Sequence, residues 1–251
     1  MNKELKNKVI VITGASKGIG KSLIEEFSKN GCNVWACART KTDEFIGFCK
    51  KLGKQNNVYV KPLFFDLNNH DEIKININHI TQNSEKIDYL INNAGILENS
   101  LFQMTEIEKF KSIFEVNFFS QIYLSQLIIK KMIKQKKGNI INISSTSSQD
   151  NDFGRSAYSS SKAALNSISK VMSKELSRFN IRVNVIAPGL VDTQMMRGKT
   201  EEKYLNDTIN KLNVKRIATP KEISKLAIYL ASDDSSYVSG EIIRIDGGMG
   251  S

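Results

Sequence analysis

Three cysteines, at positions 32, 37 and 49, are all that the 251 residues contain. An odd count without framework spacing argues against a disulfide-stapled secreted scaffold and points to a reducing compartment; the spacing does not match a zinc site either. Histidine is scarcer still. His70 and His79 each stand alone in a polar stretch, so no metal centre is expected. No Pro/Gly-rich or low-complexity break divides the chain and no repeat appears at solenoid spacing, so one domain is expected over residues 1–251. No apolar run approaches the roughly 20 residues that a membrane span needs. The opening stretch MNKELKNKVIVITG lacks the apolar core and small-residue cleavage site of a signal peptide. The expectation is a cytoplasmic protein without a membrane partner.

Acidic residues are the minority among the charges, 26 against 36 basic, for a formal net charge of +10. Such an excess raises nucleic acid as a partner. The basic residues are nevertheless spread along the whole chain. The densest run, KKMIKQKK (130–137), is interleaved with apolar residues and reads as the solvated face of a helix. No nucleic-acid recognition motif accompanies it, so no nucleic-acid partner is expected. A basic surface can equally attract phosphates or an acidic protein.

What the chain does contain is ordinary globular composition, 40% hydrophobic and 25% charged. Short β-branched runs recur: VIVIT (9–13), NVWACA (33–38), YVKPLFFDL (59–67), DYLINNAG (88–95), NIINIS (139–144), RVNVIAPG (182–189) and EIIRIDGG (241–248). Most are continuously apolar rather than alternating, as strands buried on both faces must be. Helix-like stretches lie between them, among them KSLIEEFSKNG (21–31), a long one over 108–135 and KAALNSISKVMSKELSRF (162–179). Strand and helix in alternation mean parallel pairing through right-handed crossovers. The pattern predicts an α/β fold: a doubly wound, Rossmann-type parallel sheet of about seven strands with helices on both faces. Ligands of such sheets bind beyond the C-terminal ends of the strands.

After the first strand comes TGASKGIG (13–20), followed by a helix. Gly14, Gly18 and Gly20 leave a turn that backbone alone lines, where a pyrophosphate can meet the N–H groups of a helix N-terminus. The spacing is G-x-x-x-G-x-G, and no Gly-Lys-Ser/Thr follows as a P-loop requires. Further on, YSSSK (158–162) sets Tyr158 and Lys162 four apart, on one face of a helix. Taken alone, the pair reads as an exposed Tyr and Lys on a solvated helix rather than as a reaction centre.

The motifs taken together resemble the short-chain dehydrogenase/reductase family over essentially the full length. They arrive in that family's order: TGASKGIG, the aspartate of FDL (Asp66), NNAG (92–95), the asparagine of FEVNFFS (Asn117), NISS (142–145), YSSSK, APGLVDT (187–193) and SGEIIRIDGG (239–248). The resemblance implies a catalytic set of Asn117, Ser145, Tyr158 and Lys162. Residue pattern alone does not choose between Ser144 and Ser145; family spacing, thirteen residues ahead of the tyrosine, implies Ser145. It also implies that Asn117 anchors a water in a proton relay to Lys162, and that Lys162 binds the nicotinamide ribose. Cofactor contacts are implied at Gly14, Ser16, Lys17, Gly18, Ile19, Gly20, Arg39, Thr40, Asp66 and Leu67. They continue at Asn92, Asn93, Ala94, Gly95, Tyr158, Lys162, Pro188, Gly189, Val191 and Thr193, with sheet support the alternative for Asn92 and Asn93.

Elementary electrostatics supports the pair. A tyrosine near pKa 10 is a poor proton carrier around neutrality. An ammonium about 5 Å away at an effective dielectric of about 20 would favour the phenolate by about 3 kcal/mol. Cofactor choice is legible too. Ala38 stands at the end of the second strand, where an NAD enzyme of this architecture places a carboxylate. Arg39 follows directly, Lys17 lies in the glycine turn, and Ser16 and Thr40 add hydroxyls, a set suited to a 2′-phosphate. The expectation is NADP(H), serving a carbonyl reductase that runs reversibly as an alcohol dehydrogenase.

The chain most resembles 3-oxoacyl-[acyl-carrier-protein] reductases, so the default substrate is a carrier-bound 3-oxoacyl group, the acidic carrier meeting Lys136, Lys137 and Arg178. Two features depart from that pattern. Phe179 stands where a basic carrier-binding residue is expected, and SSQDNDFGRSAY (147–158) is charged and glycine-poor. Asp150, Asp152 and Arg155 make a polar carbonyl compound, such as a sugar or polyol derivative, the alternative. A catalytically silent dinucleotide-binding regulator is the alternative from another class. The polar, helix-like stretch from Met195 to Val214, between Gly189 and Pro220, is expected to form a substrate lid over about 190–215. Apolar positions in 163–179 and 113–133 exceed what one sheet face needs, and a homotetramer is expected.

Overall fold

The computed structural model describes residues 3–198 and 202–249. Seven strands, β1 (Val9–Thr13), β2 (Asn33–Ala38), β3 (Val60–Phe64), β4 (Tyr89–Asn92), β5 (Gly138–Ile143), β6 (Ile181–Pro188) and β7 (Ile242–Ile245), form one sheet in the order β3-β2-β1-β4-β5-β6-β7. Every pairing is parallel. The helices are α1 (Gly18–Lys29), α2 (Asp43–Asn56), α3 (His70–Gln82), α4 (Ile107–Phe114), α5 (Ser120–Gln135), α6 (Ser147–Asp150), α7 (Ser156–Leu176), α8 (Gln194–Arg197), α9 (Glu202–Lys211) and α10 (Pro220–Ala231). The sheet is the Rossmann-type α/β fold that the alternating pattern predicts.

The continuous apolar runs are explained by the two covered faces. Ile10 and Ile12 of β1 turn to one side, where Leu23 and Phe27 of α1, Phe45 of α2 and Ile223 of α10 close a core. Val11 turns to the other, against Ile73 and Ile77 of α3 and Leu124 and Ile128 of α5. Residues of the central strands β4 and β5 are therefore buried whichever way they point.

Two boundaries differ from the sequence pattern. The third run leaves the sheet at Phe64, so Asp66 and Leu67 lie in the loop beyond the strand end. The long stretch 108–135 is not one helix: a π-turn over Glu115–Phe119 separates α4 from α5, with Ser120 N–H donating to the Glu115 carbonyl five residues back. The periodic pattern hides this because residues on both sides keep their apolar faces inward. Asn117 sits in that turn rather than in a regular helix.

Strand order reverses between β1 and β4, the position at which a doubly wound sheet opens a crevice. The stretch expected as a lid contains α8 and α9, with residues 199–201 outside the described part. Its two ends are fastened together: Ala218 N–H donates to the Leu190 carbonyl and Asp192 N–H to the Ala218 carbonyl. Among the described residues no helix is long and apolar enough to cross a membrane, and no cluster of His, Cys, Asp or Glu could hold a metal ion. The three cysteines are buried, and desolvation pushes each thiol up to about 12, which leaves them unreactive.

Candidate active site

A cleft of about 810 Å³ opens at the C-terminal ends of the strands, within the range of ligand pockets. Its floor begins at the glycine turn. Gly14 holds φ +64°, and a Cβ there would come 2.8 Å from the Ala94 Cα. A Cβ on Gly20 would lie 2.0 Å from the Gly14 carbonyl oxygen. Gly20 thus does not line the cleft; it lets α1 come down on the turn. Ser16, Lys17, Gly18 and Ile19 do line it, beside Gly14. The first turn of α1 contains no acidic residue and its N-cap, Lys17, makes no side-chain cap bond, so N–H groups there remain available to an anion.

Around this turn the sheet is braced by its own polar groups. The Thr13 hydroxyl accepts from the backbone N–H of Asn93 (3.0 Å) and of Ala94 (3.1 Å). Asn93 returns its amide to the carbonyls of Thr13 (3.0 Å) and Gly14 (3.1 Å). Asn93, Ala94 and Gly95 all line the cleft. Asn92 does not; of the two readings expected for it, sheet support is the one seen, since it is buried in β4 and gives its amide to Ser125 and Asn142, both at 2.8 Å. A strand alternates its side chains, so consecutive asparagines cannot both face the cleft.

Ala38 ends β2, and Arg39 and Thr40 stand exposed beyond it at the cleft wall. Among the described residues neither Arg39 nor Lys17 has an ion-pair partner. Asp66 and Leu67 lie on the same wall, Asp66 Oδ1 accepting from Asn68 N–H at 2.9 Å. On the far side are Pro188, Gly189, Val191 and Thr193. Bare backbone at an anion-accepting helix end and two unpaired cations fit a phosphate-bearing dinucleotide.

The other wall carries the polar constellation. Ser145 follows β5, and its hydroxyl accepts from Ser147 N–H at 3.2 Å and hydrogen-bonds Tyr158. Ser144 turns its hydroxyl to the Lys162 carbonyl at 3.3 Å, into the helix backbone. Lys162 is 3% exposed, and its Nζ donates to the Ile143 carbonyl at 2.9 Å. Desolvation lowers its pKa from 10.5 to about 8. Tyr158 is raised above its ordinary value, burial outweighing the opposing effects of the Ser145 hydrogen bond and the nearby Arg155 charge. The direction is opposite to the one expected from an adjacent lysine ammonium. Burial acts on both groups and dominates in the cofactor-free chain.

Asn117 is fully buried and does not line the cleft. Its Oδ1 accepts from Ile96 N–H at 2.8 Å, and its amide donates to the Ile96 carbonyl (2.9 Å) and Ser161 hydroxyl (3.1 Å). It reaches Lys162 only across Gly95, where a Cβ would sit 3.2 Å from Asn117 Oδ1 and 3.4 Å from Lys162 Nζ. Thr13 lines the cleft and the Ser161 hydroxyl accepts from Asn117, and the motif reading gave neither a role. Met195 and Met196, in the stretch expected as a lid, line the cleft too. A threonine that ends a strand before a glycine turn was the available signal for Thr13.

The fold and cleft define a dinucleotide-binding α/β protein. Comparison narrows the class: residues 8–204 match the family described as short chain dehydrogenase. A 3-oxoacyl-[acyl-carrier-protein] reductase of Buchnera aphidicola is 36% identical over 242 residues, covering 96% of this chain and 97% of that protein. One of Thermotoga maritima is 35% identical over 248 residues, 98% of each. An acetoacetyl-CoA reductase of an Acinetobacter strain is 32% identical over 243 residues, 96% of this chain and 97% of that one. The chain belongs to the short-chain dehydrogenase family, a class of oxidoreductases that use a nicotinamide dinucleotide.

The Lys162 environment has a measurable consequence. The unfolded chain keeps this proton to about pH 10.5 and the folded chain sheds it near pH 8, so folded molecules bind fewer protons in between and stability rises with pH there. Below pH 8 the full burial cost, about 3 kcal/mol, is present. Lys162→Met should stabilise the cofactor-free protein at pH 7 by about 1–3 kcal/mol, less whatever the freed Ile143 carbonyl costs. Urea unfolding at pH 7 and 9.5 should show that gain shrinking at the higher pH; a gain independent of pH contradicts the assignment.

Proposed function

We propose that the chain is an NADPH-dependent reductase of 3-oxoacyl thioesters, by default those on acyl-carrier protein, yielding the secondary alcohol. The observation that carries this is the meeting of Ser145, Tyr158 and Lys162 on one wall of a dinucleotide-sized cleft. Bound NADPH supplies a hydride to the carbonyl carbon. Tyr158 gives its hydroxyl proton to the carbonyl oxygen, and the Ser145 hydroxyl holds that oxygen in line. Lys162 spends one of its three N–H donors on Ile143 and keeps the others for a ribose hydroxyl. Asn117 stands at the inner end of the proton route, its amide already committed to backbone and Ser161, so it acts by holding the Ile96 segment and a water beside Lys162.

The polar-substrate alternative loses support because its carboxylates are engaged elsewhere. Asp150 is bound by Arg244 at 2.6 and 2.8 Å, and Asp152 by Arg155 at 2.9 Å. A silent regulator would have no use for the polar wall. The basic residues Lys136, Lys137 and Arg178 precede β5 and β6, at the opposite end of the strands from the cleft and about 20 Å away by strand rise, so they do not support a carrier docked at the cleft mouth. Residues 190–215 serve as a lid, with Met195 and Met196 facing the cleft and the Leu190–Ala218 pairing as its base.

Tyr158→Phe should lower kcat for acetoacetyl thioester reduction at least a thousandfold while NADPH still binds, as read by nucleotide fluorescence; near wild-type turnover rejects the proton-donor role. Arg39 and Lys17 each offer a charge-assisted contact of about 1.5–3 kcal/mol to a 2′-phosphate. NADPH should therefore exceed NADH at least tenfold in kcat/KM, and Arg39→Asp should remove most of that preference; equal use of both by the wild type contradicts it. Phe119 and Val171 expose 51% and 43% of their surfaces on the α5 and α7 side, which supports a homotetramer; light scattering at micromolar concentration should give four chains, and a monomer rejects it.

A further inference from the structure

The segment between Ser145 and Tyr158 is charged, and only one of its three charged side chains faces the cleft. Asp150 points away to Arg244. Asp152 serves as an anchor: its carboxylate accepts from Arg155 Nη1 at 2.9 Å and from the Ser147 hydroxyl, and that hydroxyl accepts from Nη1 at 3.3 Å. The side chain of Arg155 is 17% exposed and lines the cleft together with Ser145 and Tyr158. Among the described residues its Nε and Nη2 hydrogens have no partner. The backbone beneath is fixed as well: Arg155 N–H donates to the Asp152 carbonyl (3.2 Å), Ser159 N–H to the Arg155 carbonyl (2.7 Å) and Ser100 N–H to the Gly154 carbonyl (2.8 Å).

A guanidinium tethered through one nitrogen presents the remaining two as a fork of donors. It stands one helical turn before Tyr158, close enough for its charge to act on the phenol. A 3-oxoacyl thioester carries a second carbonyl oxygen two carbons from the one that Tyr158 and Ser145 hold. We propose that Arg155 is the substrate-specificity residue of this cleft, its free Nε and Nη2 donors binding the thioester carbonyl oxygen of a 3-oxoacyl substrate. The neighbouring Asp152 neutralises the charge, so the fork suits a neutral carbonyl acceptor and discriminates by hydrogen bonding rather than by net charge. This rests on the thioester-reductase reading above and adds the residue that selects within it.

The test compares two substrates that differ by one oxygen: S-acetoacetyl-N-acetylcysteamine and S-(3-oxobutyl)-N-acetylcysteamine, in which CH2 replaces the thioester C=O. Taking the wild-type to variant ratio for each cancels their different intrinsic reactivities. Arg155→Met, and Asp152→Asn/Arg155→Met to avoid an unpaired carboxylate, should lower kcat/KM about ten- to hundredfold more for the acetoacetyl compound than for the oxobutyl one. Arg155→Lys, which restores a donor without the fork, should recover part of the difference. Equal losses on both substrates, or none on either, overturn the role of Arg155 and leave the thioester reading standing. A wild-type enzyme that reduces no 3-oxoacyl thioester overturns that reading and this inference together.

Discussion

One lysine sets the terms for this site. Lys162 is almost wholly removed from water and, among the described residues, has a single backbone carbonyl, that of Ile143, as the hydrogen-bond partner of its Nζ. An ammonium so placed is costly. The cost is tolerated because α7 lies across the end of β5, which brings Tyr158 and Lys162 of the helix against Ile143 of the strand and Ser145 just beyond it. Polar groups that would each be poor structural choices are thereby gathered where a reactive carbonyl can be held. A site that is unfavourable when empty is in a position to gain from a ligand that supplies the missing partners.

The opposite end of the cleft follows the same logic with the sign of charge made explicit. Bare glycine backbone, an α1 N-terminus without acidic residues, and two cations without ion-pair partners among the described residues create an anion-accepting wall. Thr13 and Asn93 lock that wall to β4, so the turn is preorganised rather than assembled on binding. The cleft is polarised along its length, anion-accepting near β1 and β2 and lined by Ser145, Tyr158 and Lys162 near β5 and α7.

Much of this was readable from residue order because it depends on local rules. β1 and β2 begin and end where their apolar runs do, since burial on both faces leaves no other residues to fill them. Gly14 and Gly20 were legible because only glycine fits there. What escaped the sequence is set by distant partners. Nothing in SSQD tells that Asp150 will meet Arg244, 94 residues on. Nothing in NN tells which asparagine faces the cleft. The π-turn at Asn117 is invisible because no residue type in EVNFF marks where the backbone takes an extra residue into one turn, and His70 gained a ring stack on Tyr123 and a 2.8 Å contact with Glu115 that no motif announces. The local expectation for Tyr158 pointed the wrong way for a related reason: helix spacing gives the lysine's proximity, but only the packed fold gives the burial that outweighs it.

The central claim is direct hydride delivery to a carbonyl held by Ser145 and Tyr158. Its most direct test is the fate of label from NADPH deuterated at one or the other face of nicotinamide C4, with an acetoacetyl thioester as acceptor. The account predicts that the 3-hydroxyacyl product carries deuterium at C3 from one labelled face only, with none exchanged into solvent. Product without label from either face, or label washed out to water, would contradict it.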